Sequence, residues 1–134
     1  MATTDTELIA EVRALTDYPA DVMSDADIQK LVDIGKEELR ASFGDPSYVF
    51  YTGDQSADRA LFWFTCLGTK IKAGEIASVN LEIADIIAQK PAQGHYDVWF
   101  ELFRARLKEA ERAVRDEAGP AQAELERENR SYGQ

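Results

Sequence analysis

The chain has one cysteine and one histidine in 134 residues. A lone Cys66 excludes an intramolecular disulfide and a thiolate metal cluster. A lone His95 leaves any Ser/His/Asp or Cys/His device a single candidate base, and nothing in the spacing of Cys66, His95 and Asp97 assembles one. Basic residues are also scarce: 15 Lys and Arg face 25 Asp and Glu, for a net charge of −10. That balance lacks the basic footprint of a nucleic-acid-binding surface and repels anionic lipid. No stretch reaches the length of a membrane span. Met1-Ala-Thr-Thr-Asp-Thr-Glu has neither the basic region nor the apolar run of a signal peptide, so the expectation is a protein made and kept, or assembled, in the cytosol. There is no Gly-rich phosphate loop, no metalloprotease His pair and no calcium loop with its required Gly and Glu. The expectation is a protein that is not an enzyme and takes no cofactor or metal.

What is present is a globular composition. Hydrophobic residues make up 45% of the chain, and two Trp, six Phe and five Tyr are enough to fill one core. Twelve Asp, 13 Glu and 19 Ala, with nine Arg against six Lys, describe a protein suited to concentrated salt, where self-repulsion is screened. Carboxylate neighbours such as Asp25 and Asp27, or Glu37 and Glu38, are expected by chance at this density and read as a solvated acidic face. Cys66 lies inside the most apolar run and reads as a small buried hydrophobe, and His95 as an exposed residue at a helix start.

The pattern predicts a mainly α fold, a small helical bundle with one long C-terminal helix. Thr4-Asp5-Thr6-Glu7 reads as a capping box opening a short helix through Leu8, Val12 and Leu15, which stops before Asp17-Tyr18-Pro19. Ser24-Asp25-Ala26-Asp27 opens a second helix with Ile28, Leu31, Val32, Leu39 and Phe43 on one face, and Gly44 stops it. A connector over residues 45–55 leads to a third helix near Ser56 or Ala57. Its centre, Ala60 to Leu67, is apolar all round and so belongs at the domain centre or against another subunit. Val79, Leu81 and Ile83 alternate with polar residues, which predicts a short extended segment or hairpin near residues 76–84, although Ile76, Val79, Ile83 and Ile86-Ile87 also fit a helical stripe.

The longest helix is predicted from about Tyr96 to Ala118, with charge pairs Glu101–Arg104, Glu111–Arg115 and Arg112–Asp116 on its outer face. Gly119-Pro120 is expected to break it, dividing the chain into a helical domain over 1–118 and a C-terminal segment over 119–134. Tyr96, Phe100 and Phe103 make this helix apolar on more than one face. With the all-apolar third helix, that marks Trp63, Tyr96 and Phe100 as candidate subunit contacts; a thick core closing over both helices is the alternative.

Leu8-Ile9-Ala10-Glu11-Val12-Arg13-Ala14-Leu15-Thr16, followed by Tyr18-Pro19-Ala20-Asp21-Val22-Met23-Ser24-Asp25-Ala26-Asp27-Ile28, resembles the opening of head–tail adaptor (connector, or head completion) proteins of tailed viruses. Gly74-Glu75-Ile76-Ala77-Ser78-Val79-Asn80-Leu81-Glu82-Ile83 is similar to the extended segment that follows the family's aromatic-rich central helix, and the closing long helix and polar tail fit as well. The apolar Ile86-Ile87 departs from the polar, glycine-containing turn expected there. The resemblance implies a virion protein at the head–tail interface. It would form a self-assembled ring, usually of twelve copies, below the capsid portal, with a tail or stopper protein on the other side and double-stranded DNA passing through without specific binding. Carried over by position, portal docking falls on about Ala121 to Gln134, with Leu125, Arg127, Arg130 and Tyr132 as contact candidates. The acidic composition would suit a virus of a halophilic archaeon. Without the resemblance, the same residues describe a cytosolic helical protein–protein interaction module of a halophile.

Overall fold

The computed structural model describes residues 2–53, 55–76, 79–89 and 94–132, with side chains described as far as residue 116. Its elements are α1 (Asp5–Thr16), α2 (Asp25–Phe43), α3 (Gln55–Lys72), the short α4 (Ile83–Ile87), a single 3₁₀ turn (Gly94–Tyr96) and α5 (Asp97–Tyr132). The fold is mainly helical, with no strand among the described residues.

Local signals in the chain start and stop these helices. The Thr4 hydroxyl accepts the Glu7 N–H at 3.2 Å, capping α1. Glu7 does not complete the box on Thr4; its carboxylate accepts from the Thr3 N–H and the Thr3 hydroxyl instead. Asp17, in the left-handed region at φ 55°, ends α1 by donating its N–H to the Arg13 carbonyl. Ser24 and Asp27 form a full capping box at the start of α2. There the Ser24 N–H and hydroxyl hold the Asp27 carboxyl below its ordinary range. Gly44 ends α2 at φ 67°, a conformation that Gly adopts without a Cβ clash.

The centre of the bundle is α3, which packs most extensively on α5, then α2, then α1. Leu61, Phe64, Cys66 and Leu67 are fully buried, so the all-apolar run lies at the domain centre. Two glycines set how closely α2 and α3 approach. A Cβ on Gly35 would lie 2.8 Å from Phe64 and 2.9 Å from Leu61, and one on Gly68 would lie 3.2 Å from Leu31. α5 closes the core with Phe100, Phe103, Leu107 and Ala110, and Phe103 meets Phe64 with ring centroids 6.1 Å apart.

Three expectations are corrected. The first is the hairpin: the described residues 79–82 pair with no strand, and the chain passes from an extended Glu82 into α4. The alternation is nonetheless real as burial, with Val79 and Ile83 inward and Asn80 exposed. A helix starts here because Glu38 of α2 accepts the Ile83 N–H at 2.7 Å, which satisfies an orphan donor of the first turn from outside the segment. The second is the break: α5 continues past Gly119-Pro120 to Tyr132. Intrahelical bonding on either side outweighs the one N–H that Pro120 lacks. The third is a charge pair. Arg104 does not turn to Glu101 but reaches back to α4, donating to the Ile87 carbonyl at 3.3 Å and to the Gln89 carbonyl.

Candidate functional site

The residues singled out for chemistry are not brought together. Cys66 is fully buried in α3, where burial pushes its thiol well above the ordinary value. His95 is exposed in the 3₁₀ turn, its ring 4.0 Å from that of Tyr96. The carboxylate pairs separate onto structural partners. Asp25 accepts from the Arg13 guanidinium, Asp27 caps α2, Glu37 pairs with Arg40 at 3.0 Å, and Glu38 takes the Ile83 N–H. No cluster of three or more His, Cys, Asp or Glu side chains that could hold a metal exists among the described residues.

The candidate subunit contacts fare differently from one another. Tyr96 and Phe100 are 7% and 1% exposed, so both belong to this chain's own core and are not offered to a second copy. With α2 and α3 both against α5, two neighbouring positions on α5 turn inward. Trp63 is only half-buried and stays at the surface, 5.9 Å from Trp99 of α5. Leu125, Arg127, Arg130 and Tyr132 lie on the distal part of α5, and their side chains fall outside the described ones.

Two charged nodes that the sequence reading missed hold the bundle together. At the first, the Asp5 carboxylate accepts from Lys36 Nζ (3.0 Å), Gln29 Nε2 (3.0 Å) and the Tyr51 hydroxyl (2.7 Å). Burial would raise the Asp5 carboxyl, but the bonds from Lys36, Tyr51 and Gln29 outweigh it and hold it below its ordinary value. Tyr51 itself has φ 68°, an uncommon conformation for a bulky residue. It is kept there by its hydroxyl on Asp5 and by its N–H on Asp58 at 3.0 Å. Burial and the Asp5 charge push its phenol upward.

At the second node, Lys70 is 8% exposed near the end of α3. Its ammonium lies 4.3 Å from the Tyr18 ring centre, 5.6 Å from that of Tyr96 and 6.0 Å from that of Trp99. It donates to Glu75 at 3.0 Å and to the Thr16 carbonyl, at the end of α1, at 3.4 Å. The sequence signal for this node was a lysine one turn beyond an all-apolar helical run, a position where an amine must find partners.

The remaining feature is the length of α5. Its 36 residues correspond to about 54 Å at 1.5 Å per residue, roughly twice the 19-residue α2. Among its described side chains, Phe100, Phe103, Leu107 and Ala110 pack in the core. Beside it, a groove of about 570 Å³ is lined by Ile87, Glu101, Arg104, Ala105, Leu107 and Lys108. Among the described residues, no helix is long and apolar enough to cross a membrane. Comparison with protein-family models, with curated proteins and with solved structures finds no match for this chain.

Proposed function

We propose that this chain is a structural, non-enzymatic adaptor of a tailed virus, one of a ring of subunits that joins the capsid portal to the tail and continues the DNA channel. The observation that carries the reading is α5. A helix of 36 residues, about twice the length of the 19-residue α2 and set into the core by Phe100, Phe103, Leu107 and Ala110, can serve as a docking element for a partner. The partner is the portal protein, and residues 121–134 are the segment that meets it. The strong acidity supports the same reading, because an acidic channel repels the DNA backbone and lets it slide without sticking. It also suits a host with a salty cytoplasm.

The test is deletion of residues 121–134 followed by capture on portal-bearing particles in high salt. The truncated chain should keep its thermal transition, since the cut spares every residue of the described core, and should lose attachment at least tenfold. Undiminished attachment overturns the portal-docking assignment. A small complex without rings in electron micrographs of the native assembly points to a cytosolic interaction module instead.

A further inference from the structure

Residues 79–89 carry α4 across three helices of the bundle. Leu81 lies 3.3 Å from the point where Gly68 of α3 would bear a Cβ, and α4 packs on α2 and on α5. Ile83 and Ile86 are buried there, while Ile87 is 45% exposed at the edge.

Such a segment cannot hold its own helix. Five residues make too few internal bonds to offset the cost of a helical nucleus in water. Around α4 the Asp85 and Ile86 N–H groups bond the Glu82 carbonyl, and the Ala88 and Gln89 N–H groups bond the carbonyls of Ala84 and Ile86. Glu82 gives the first turn no side-chain cap. Both ends are finished from other helices instead. Glu38 of α2 accepts the Ile83 N–H at 2.7 Å. Arg104 of α5 donates to the Ile87 carbonyl at 3.3 Å and to the Gln89 carbonyl. An anion at the start and a cation at the end also suit the dipole of the short helix.

Arg104 has a second acceptor at hand. Glu101 stands three residues before it on α5, a spacing at which helical side chains meet. Glu101 is exposed, and with Arg104 and Ile87 it lines the groove of about 570 Å³. An ionised carboxylate binds a guanidinium more strongly than a neutral carbonyl does. Reaching across to α4 and lying back along α5 are different directions for one side chain, so Arg104 holds one acceptor or the other.

We infer that residues 79–89 are a strap that opens as one unit, and that Arg104 is its switch. Closed, Arg104 holds the Ile87 and Gln89 carbonyls. Open, it turns to Glu101; the end of α4 loses its donors, and a helix that cannot stand alone comes away. Opening bares Ile83 and Ile86 and extends the groove from α5 towards α2. Ile86, 0% exposed when the strap is closed, sets the balance: its burial favours the closed state, and the Glu101 carboxylate favours the open one.

Hydrogen exchange of the full-length chain, read amide by amide by nuclear magnetic resonance, tests the switch. The strap reporters are Ile83, Asp85, Ile86, Ala88 and Gln89, and the buried centre of α3 reports the whole fold. In wild type the strap amides should exchange as a group, about tenfold or more faster than those of α3. Arg104→Met keeps the stem and removes the donors, and should speed the strap group about tenfold further while α3 is unchanged. Glu38→Ala should do the same from the other end. Glu101→Gln weakens the competing acceptor and should slow the strap group about threefold. Strap amides that exchange at the α3 rates in wild type overturn the separate unit. So does an Arg104→Met or Glu38→Ala effect that is as large in α3 as in the strap. If Glu101→Gln leaves the strap rates unchanged or raises them, Arg104 is not a switch between these acceptors. Glu101 is exposed, so its variant decides the matter even where another fails to fold.

Discussion

The two ends of α1 are each fastened by a charge, and in opposite ways. At the start, Asp5 is an anion that gathers three polar donors, two of them on α2 and one on the connector before α3. At the end, the Thr16 carbonyl meets Lys70, a cation enclosed by the faces of Tyr18, Tyr96 and Trp99 and neutralised by Glu75. The first fastening is Coulombic and partly wet, so added ions and protons reach it. At the second, Lys70 itself is desolvated on ring faces, which salt screens far less, and only its Glu75 partner, 43% exposed, is open to added ions. One helix is therefore secured by a more environment-sensitive contact at one end and a less sensitive one at the other.

The sharpest way to break this comparison is at Lys70. Lys70→Ala removes the buried stem, the cation on three rings and the partner of Glu75, and should cost about 2–4 kcal/mol in urea unfolding. Lys70→Met keeps the stem and should recover about half of that; full recovery would show that the charge adds nothing. Next comes Asp5→Asn, which weakens three hydrogen bonds and leaves Lys36 without its anion, for about 1–2 kcal/mol. Raising the salt concentration should shrink the Asp5→Asn loss and leave the Lys70→Met loss nearly unchanged. Equal salt responses from the two variants would erase the distinction.

Tyr51→Phe removes only the hydroxyl donor to Asp5 and should cost about 1 kcal/mol by the same measurement. The smallest effect is on pH dependence. Because the folded-state carboxyl of Asp5 lies below its unfolded value of 3.8, its contribution is complete above that value and lost as pH falls through the lower one. Acid titration of stability below about pH 4 should therefore be shallower in Asp5→Asn than in wild type, and unaltered in Lys70→Met.

The elements themselves were legible because their signals are local. Thr4, Ser24 and Gly44 start and stop helices through bonds three or four residues long, and apolar spacing does the rest. α4 was not legible, because the group that starts it, Glu38, lies 45 residues earlier in the chain. The charged nodes were hidden for the same reason. Lys36 and Tyr51 reach Asp5 across 31 and 46 residues, and Lys70 reaches Thr16 across 54. A charge pattern carries no mark of which distant partner it will meet. Trp63 stood out in the all-apolar third helix and is half-buried, whereas Phe100 stood out on the last helix and lies fully in the core. Periodicity fixes a residue's direction around its own helix, and only packing decides what that direction faces.

Both tryptophans of the chain are in one place, 5.9 Å apart across the α3–α5 seam, with Tyr96 stacked edge-on at 5.2 Å from Trp99. The protein therefore carries its own optical gauge, and the gauge is local. Selectively excited tryptophan fluorescence reports the junction of α3 with α5, while the far-ultraviolet signal averages over every helix. A chain whose α1 has come away at its Asp5 end would keep its emission maximum and lose helical signal, so two spectra taken together can tell which end of the bundle has opened.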